Sequence, residues 1–288
     1  MSFKRFFIFS ALFVPVALIL TFTFLSHPSI PQNVSSVEIP EEVPENIEGT
    51  LFKIGESSFR RSSSGLYELY VEGDPVKIGI YQGRLTQDLI KKQETIFVDM
   101  LNRFVPGKYS RFMIKKFIYM FNKQMQEHVP QEYLKEIYAL SRVMEDDFGG
   151  MGDNYFRVLN YHAAHDIGHM VTNLNLVGCT AFSVKGTKSE NSDLITGRNF
   201  DFFIGDRFAK DKIVSFVKPD NGFPFVTVSW GGMIGVVSGM NSSGLSITLN
   251  AAESEVPSKT ATPVALVARE MLQYADTIEK AYEIARSR

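Results

Sequence analysis

Several residue types are scarce in this 288-residue chain, and each scarcity narrows the classes of protein it can belong to. There is a single cysteine, Cys179, which excludes a framework of internal disulfides. Lysine and arginine do not outnumber the acidic residues, and the net charge is −2. Because nucleic-acid binding needs a basic surface, we expect no nucleic-acid partner. The 44% of hydrophobic residues still predicts a globular protein with a substantial core.

The N-terminal segment has no charged residue from position 6 to position 25, directly after Lys4 and Arg5. Such a run is long enough to cross a bilayer as a helix. It is longer than the apolar core of an ordinary signal peptide, and residues 24–27 form a poor cleavage site. The sequence therefore predicts a transmembrane anchor, with the main domain on the extracytoplasmic side. Removal of the segment would instead give a secreted protein.

Composition divides the rest of the chain into three parts. Residues 26–50 form a polar, proline-spaced linker, and residues 51–178 are mostly of helical pattern after one alternating strand near Tyr67. From 179 to 288, short apolar runs are separated by turn residues, which is typical of hairpins. Those runs are Cys179–Val184, Leu194–Gly197, Lys212–Val217, Phe225–Trp230, Ile234–Ser238 and Leu245–Asn250. Two helices follow, one opening at Thr262-Pro263 and one at a capping box of Asp276 and Glu279.

Cys179 has two interpretations from its residue type. A free cysteine is often a small buried hydrophobe, and it is also a nucleophile where its surroundings favour the thiolate. Cleavage of the Gly178–Cys179 bond would free an α-amine with a pKa of about 8, which could act as a base next to the sulfur. Glycine at position 178 leaves room for attack on its carbonyl. The neighbourhood of Cys179 therefore favours a nucleophile uncovered by self-cleavage.

Four motifs in order resemble the N-terminal-nucleophile (Ntn) hydrolases, in the branch of isopenicillin N acyltransferases and choloylglycine hydrolases. The segment from Glu72-Gly73 to Gln82-Gly83 is also similar to the propeptide opening of the acyltransferases, so the resemblance covers about residues 51–288. The four motifs are Gly178-Cys179-Thr180, Gly197-Arg198-Asn199-Phe200-Asp201, Ser238-Gly239-Met240-Asn241 and Asn250-Ala251.

The resemblance implies an α+β fold, an αββα sandwich, preceded by a mostly helical propeptide region. It implies that Cys179 attacks an amide carbonyl to form a thioester and that Arg198 favours the thiolate. Asp201 would orient the new α-amine, and Asn250 would help form the oxyanion hole. A small-molecule acyl amide is the expected substrate, and no cofactor is expected. Hydrolysis and acyl transfer share this intermediate, so both remain open.

The last helical pattern reaches Arg288 without a stop signal, and part of the family's second sheet has no counterpart here. We therefore expect the sandwich to be incomplete at its C-terminus. This leaves open an alternative, an inactive truncated or metal-binding exported domain. His162, His165, Asp166 and His169 share one helical face at spacings that zinc sites use. They would equally form a polar helix face held by hydrogen bonds.

Overall fold

A computed structural model describes residues 29–113, 124–164, 166, 177–202, 206–250 and 260–288. The fold is mixed α and β, as expected from the sequence. The main described helices are α1 (Gln32–Ser35), α2 (Pro75–Leu85), α3 (Gln87–Phe104), α4 (Gln131–Arg142), α5 (Asn154–His162), α6 (Val264–Tyr274) and α7 (Ile278–Ser287). The strands are β1 (Glu45–Asn46), β2 (Leu51–Ile54), β3 (Ser57–Arg61), β4 (Tyr67–Gly73), β5 (Val177–Gly186), β6 (Ser192–Phe202), β7 (Ile213–Pro219), β8 (Phe225–Ser229), β9 (Ser238–Asn241) and β10 (Ser246–Thr248).

Eight strands form one sheet in the order β1-β2-β3-β4-β7-β8-β9-β10, and β5 with β6 forms a separate hairpin. The pair β4 and β7 is parallel, from Tyr67 beside Ile213 to Gly73 beside Pro219. These two strands come from opposite sides of the Gly178–Cys179 bond. The segments before and after that bond therefore share one sheet.

The hairpins predicted after residue 178 are confirmed for β5–β6, β7–β8 and β9–β10, which are all antiparallel. The prediction of a strand at Ile234–Ser238 is wrong, because the strand in this region begins only at Ser238. Val236 and Val237 are buried, and the Val236 amide donates to the Ala265 carbonyl at 2.8 Å. This stretch is thus tied to the start of α6 rather than to a neighbouring strand.

One face of the sheet is covered by helices, and a second core lies among the helices themselves. Leu69 and Val71 of β4 belong to the same buried cluster as Ile78 of α2 and Leu272 of α6. Apolar residues at three- and four-residue spacing form one face of α4, and all of them are buried in the helical core: Tyr133, Ile137, Leu140 and, just beyond the helix, Met144. Burial of these large side chains contributes most of the driving force that holds α4 in place.

Helices α2 and α4 cross so closely that two glycines are required. A Cβ atom at Gly79 would lie 2.3 Å from the Glu136 carbonyl oxygen, and one at Gly83 would lie 2.4 Å from Cγ2 of Val143. Real Cβ atoms do not approach other atoms that closely, so a larger residue would push the helices apart. The glycine spacing from 79 to 83 in the sequence is thus a packing requirement of this crossing.

The described part of the proposed linker, residues 29–50, packs against the fold. Val34 is completely buried in the helical core. The Tyr81 hydroxyl donates to Oε2 of Glu42 at 2.8 Å, and Nη2 of Arg84 donates to the Pro40 carbonyl at 2.8 Å. These contacts fix the segment to α2, and it is not a free tether.

The transmembrane anchor predicted at residues 6–25 lies outside the described residues. Within the ranges that the structure does describe, no helix has both the length and the apolar character needed to cross a membrane. The longest of them, α3, carries Asp88, Lys91 and Lys92 on exposed positions. This finding contradicts the predictions of membrane anchoring, of a membrane partner and of an extracytoplasmic location that depended on the anchor.

Candidate active site

The hairpin of β5 and β6 sets the geometry around Cys179. Cys179 pairs with Phe200, and Ala181 pairs with Arg198 two positions along. Directly opposed residues of an antiparallel pair share one face, and alternate residues along a strand do the same. Cys179, Arg198 and Phe200 therefore lie on one face of the hairpin. On that face Phe200 packs, together with Leu249, against a buried cluster that includes Trp230.

The Cys179 thiol is partly buried between a carbonyl and a guanidinium. Its Sγ donates to the Leu249 carbonyl oxygen at 3.8 Å and lies 4.0 Å from Nη2 of Arg198. The same Arg198 nitrogen donates to the Leu249 carbonyl in a close contact. Sulfur, cation and backbone oxygen thus meet at one point. A thiolate formed there would have a positive charge beside it.

Arg198 is held on three sides. Its Nη1 donates to Oγ of Ser238 at 2.9 Å, and its guanidinium carbon lies 4.4 Å from the centre of the Phe200 ring. Burial lowers the pKa of Arg198, and the nearby Cys179 and Asp201 oppose that effect. Arginine remains protonated under such conditions because its ordinary pKa is so high. The residue is a fixed cation, oriented by contacts that a flexible lysine could not reproduce.

Asp201 pairs with Gly178 across the hairpin and is exposed. A Cβ atom at Gly178 would lie 3.8 Å from Cβ of Asp201. The alternation that places Cys179 on the packed face puts Asp201 on the other face. The predicted residue therefore lies beside the bond expected to break, rather than beside the sulfur.

The backbone of Asn250 lies close to the Cys179 thiol, but its side chain points elsewhere. Its Nδ2 donates to Oγ1 of Thr248 at 3.2 Å, and the side chain is exposed. The peptide unit that joins Leu249 to Asn250 carries the carbonyl that the thiol contacts. The structure thus brings Asn250 to the site through its backbone, while the amide is engaged with Thr248.

Sequence reasoning missed three contributors to this site, which are Ser238, Phe200 and the Leu249 carbonyl. Ser238 and Phe200 both lie in the quoted motifs, so their positions were visible, but a motif does not show which side chain touches which. From its residue type alone, Asn241 would be a turn residue that tolerates a left-handed backbone. It does adjoin a turn, but its backbone is not left-handed, since only Ser192 and Asp211 among the described non-glycine residues have positive φ.

Asn241 instead ties β9 to the end of α6. Its Nδ2 donates to the carbonyls of Leu272 and Ala275 at 2.9 and 2.6 Å. Its Oδ1 accepts from the amides of Ser243 and Leu245 at 3.1 and 3.0 Å. The Asn241 side chain thus makes all its hydrogen bonds with backbone groups, so its role is structural.

The histidine cluster considered as a metal site is only partly described, because His165 and His169 lie outside the described residues. His162 is buried, with Nδ1 2.8 Å from the Val158 carbonyl and Nε2 accepting from the Ile234 amide at 2.9 Å. Both ring nitrogens are therefore engaged. Oδ2 of Asp166 accepts from the Val264 amide at 3.3 Å. Among the described side chains there is no group of three or more potential metal ligands.

A half-open cavity of about 60 Å³ adjoins the packed face of the hairpin, and Phe200 forms part of its wall. Residues from both sides of the Gly178–Cys179 bond line it, including Phe97 and Met144 upstream and Phe208 and Trp230 downstream. Phe200 lies 5.6 Å from Trp230 between ring centres, and Trp230 stacks on Phe208 at 4.9 Å. A continuous row of aromatic rings thus leads from the strand opposite Cys179 into the cavity.

Comparison with known proteins supports the resemblance found in the sequence. Residues 187–288 match the family described as acyl-coenzyme A:6-aminopenicillanic acid acyl-transferase, a family of Ntn hydrolase type. An uncharacterized protein of Archaeoglobus fulgidus is 24% identical over 243 residues, which cover 77% of this chain and 39% of that protein. The chain thus spans about two fifths of the length of this relative. The resemblance to the Ntn hydrolases is confirmed, and over residues 187–288 the chain is similar to the acyltransferase family of that type.

Proposed function

We propose that this protein acts on a carbon–nitrogen amide bond of a small molecule, through a thioester on Cys179. The acyltransferase family that matches residues 187–288 supports an enzyme of acyltransferase or amidase type. The observation that carries the proposal is the contact of Cys179 with Arg198, since Sγ lies 4.0 Å from a partly buried guanidinium that Ser238 and Phe200 hold in place. A cysteine that were only core filler would not need a cation beside it.

The first step of the proposed chemistry activates the protein itself. The Cys179 sulfur attacks the Gly178 carbonyl carbon, the C–N bond breaks, and the nitrogen of Cys179 takes up the thiol proton. Water then hydrolyses the resulting thioester. The products are a Gly178 carboxylate and a chain that begins with the free amine and thiol of Cys179. In this proposal Asp201, which pairs with Gly178, accepts hydrogen bonds from the new amine.

In turnover, the α-amine of Cys179 takes the thiol proton, and the sulfur attacks the substrate carbonyl. The proton then passes to the leaving amine as the C–N bond breaks, which leaves the acyl group on sulfur. Arg198 stabilises the thiolate, and Asn250 donates to the developing oxyanion after releasing Thr248. Attack on the thioester by water gives hydrolysis, and attack by an amine gives transfer. The two reactions differ only in the acceptor.

The wider architecture in this proposal follows the Ntn hydrolases. Residues 51–178 correspond to the propeptide segment, and residues 179–288 to the first part of an αββα sandwich. The sheet covered by helices on one face supports that assignment.

Intact-mass spectrometry of the full chain tests the first step. We expect two fragments whose masses sum to the parent plus one water, with the second beginning at Cys179. Cys179→Ala should remain whole, and Ser183→Ala, on the same strand, should be cut like the wild type. A panel of acyl amides with hydroxylamine as acceptor then tests turnover, because hydroxylamine intercepts a thioester as a hydroxamate. A wild-type chain that stays uncut, with amide turnover unchanged in Cys179→Ala, would overturn the proposal.

A further inference from the structure

Gln93 of α3 lines the cavity beside Phe200 and is only 5% exposed. Neither Nε2 nor Oε1 of its side chain has a hydrogen-bond partner among the described residues. An amide buried without partners destabilises a protein, because the hydrogen bonds it made to water are lost and not replaced. Such a group in a native fold therefore calls for an explanation by something that occupies the cavity.

The other polar side chains that line the cavity are already engaged. Glu94 accepts from Nε of Arg157 and from the Tyr161 hydroxyl, both at 2.8 Å. His162 is engaged at both ring nitrogens. Within the described lining, Gln93 is thus the polar side chain whose donor and acceptor are both left open.

The remaining walls are apolar and largely aromatic. Phe97 meets Phe208 edge to face at 5.5 Å and stacks on Tyr161 at 5.0 Å, and Met144 completes this side. The space of about 60 Å³ exceeds the ~10–15 Å³ that one water needs, so a small organic group can enter. The chemistry of the cavity is an apolar enclosure with the Gln93 side chain in its wall.

We infer that this cavity binds an apolar group, aromatic or branched aliphatic, that carries one carboxamide, and that Gln93 pairs with that carboxamide. A carboxamide matches Gln93 because it offers one acceptor and an N–H donor, so two hydrogen bonds form together. A purely apolar ligand would leave the buried amide without hydrogen bonds, and this cost makes the site select a ligand with a carboxamide over one without it. As the acyl part of a substrate of Cys179, this ligand class rests on the proposed function. As a binding site, the cavity stands apart from catalysis.

Trp230 provides a direct readout, because it lines the cavity and is the only tryptophan of the chain. Its fluorescence would be titrated with benzamide and with isopropylbenzene, which has a similar shape but no hydrogen-bonding group. The titrations would use the Cys179→Ala chain, in which no thioester can form. Gln93→Leu would be compared in that background, and Gln87→Leu, on the same helix but outside this cavity, is the matched control.

In Gln93→Leu we expect the Kd of benzamide to rise about tenfold, as loss of hydrogen bonds to a buried amide predicts, while the Kd of isopropylbenzene stays the same or falls. Gln87→Leu should change neither. If Gln93→Leu changes both constants by the same factor, or changes neither, the inference is overturned. Gln93→Met repeats the comparison should Gln93→Leu fail to fold.

This outcome is separable from the fate of the proposed function. If benzamide selectivity depends on Gln93 but the wild-type chain neither cleaves nor turns over amides, the binding site is supported and the proposed chemistry is overturned. If the wild-type chain cleaves and turns over amides but shows no Gln93-dependent selectivity, the proposed chemistry is supported and this ligand class is overturned.

Discussion

Phe200 lies directly opposite Cys179 in the hairpin, and its ring also forms part of the cavity wall. The Arg198 guanidinium covers the same ring at 4.4 Å. One residue thus links the thiol, the cation that adjoins it and the apolar space next to them. A change in the hairpin register by one residue would break this link, since it would turn Phe200 to the opposite face.

Replacement of Arg198 should slow reactions of the thiol. In Arg198→Gln we expect the rate of alkylation by iodoacetamide at neutral pH to fall about tenfold, because a positive charge near 4 Å stabilises the thiolate by about 1 kcal/mol or more. Cys179 is the only cysteine, so the total alkylation measured by mass reports on this thiol alone. Arg198→Lys should recover part of the rate.

The matched control is Arg207→Gln, because Arg207 is exposed and pairs with Asp99 at 3.0 Å. An equal loss of rate in Arg207→Gln and Arg198→Gln would mean that net charge, rather than contact with the sulfur, controls alkylation.

The buried ion pair between Arg269 and Glu136 should be costly to break from one side. Both side chains are 2% exposed, and Arg269 also donates to the Ile234 carbonyl at 2.9 Å. Burial raises the pKa of Glu136. In Arg269→Met we expect the free energy of unfolding in urea to fall by about 3–5 kcal/mol, because an uncompensated buried carboxylate remains.

The double variant Arg269→Met with Glu136→Leu should recover much of that loss, since no buried charge is then left. Arg60→Met, which breaks an exposed pair with Glu68, should lower stability by about 0–1 kcal/mol. Equal effects of Arg60→Met and Arg269→Met would contradict the assignment of a buried, coupled pair.

His162 should make stability depend on pH. Burial lowers its pKa from 6.5 to about 4 in the folded protein. Between these values the unfolded chain binds more protons than the folded chain, so stability falls as the pH is lowered from 6.5 to 4. Burial raises the pKa of Asp166 to about 6, which has the opposite effect over an overlapping range. The two contributions therefore need separate variants.

Urea titrations at pH 7.0 and 4.0 would compare the wild type with His162→Gln. We expect the stability advantage of the wild type to shrink by about 3 kcal/mol at the lower pH, because burial keeps His162 neutral in the folded protein down to a pH of about 4. Asp166→Asn should change the pH dependence in the other direction. A constant difference between wild type and His162→Gln at both pH values would show that His162 is not buried in its neutral form.

Gly79→Ala should destabilise the crossing of α2 and α4. Alanine is the better helix former, yet its Cβ atom would lie 2.3 Å from the Glu136 carbonyl. We expect stability to fall by about 2–3 kcal/mol, as for other overpacked sites. Gly150→Ala is the control, because a Cβ atom there meets no other atom within 4 Å. A Gly79→Ala protein as stable as the wild type would mean that the two helices are further apart.

The local elements could be predicted because local rules determine them. The alternation at Tyr67–Val71 marks β4, and the apolar spacing of Tyr133 and Ile137 marks the buried face of α4. Capping details were less accurate. Thr277, not Asp276, caps the last helix by accepting from the Lys280 amide at 3.2 Å. Asp276 forms an ion pair with Lys280 at 2.9 Å instead. Asp276 and Thr277 are both suitable N-cap residues, and the sequence alone does not show which of them caps the helix.

The site was predicted in its parts but not in its arrangement. The motifs named Arg198, and the structure places it against the sulfur. They also named Asn250, whose amide is bound to Thr248 in this state. Gln93 could not be found, since a glutamine on a helix surface and a glutamine facing a cavity look the same in a sequence. Its environment comes from Phe200 and Trp230, which lie more than a hundred positions downstream.

The parallel pairing of β4 with β7 has a consequence for folding. Its strands are distant in the sequence, as shown by the ion pair of Glu72 with Lys218 across 146 positions. Closing so long a loop is slow, and contacts that depend on it form late. The Leu249 carbonyl reaches Cys179 from the strands that continue β7. If Cys179 cleaves the chain as proposed, cleavage would therefore occur only in chains in which β4 and β7 have already paired.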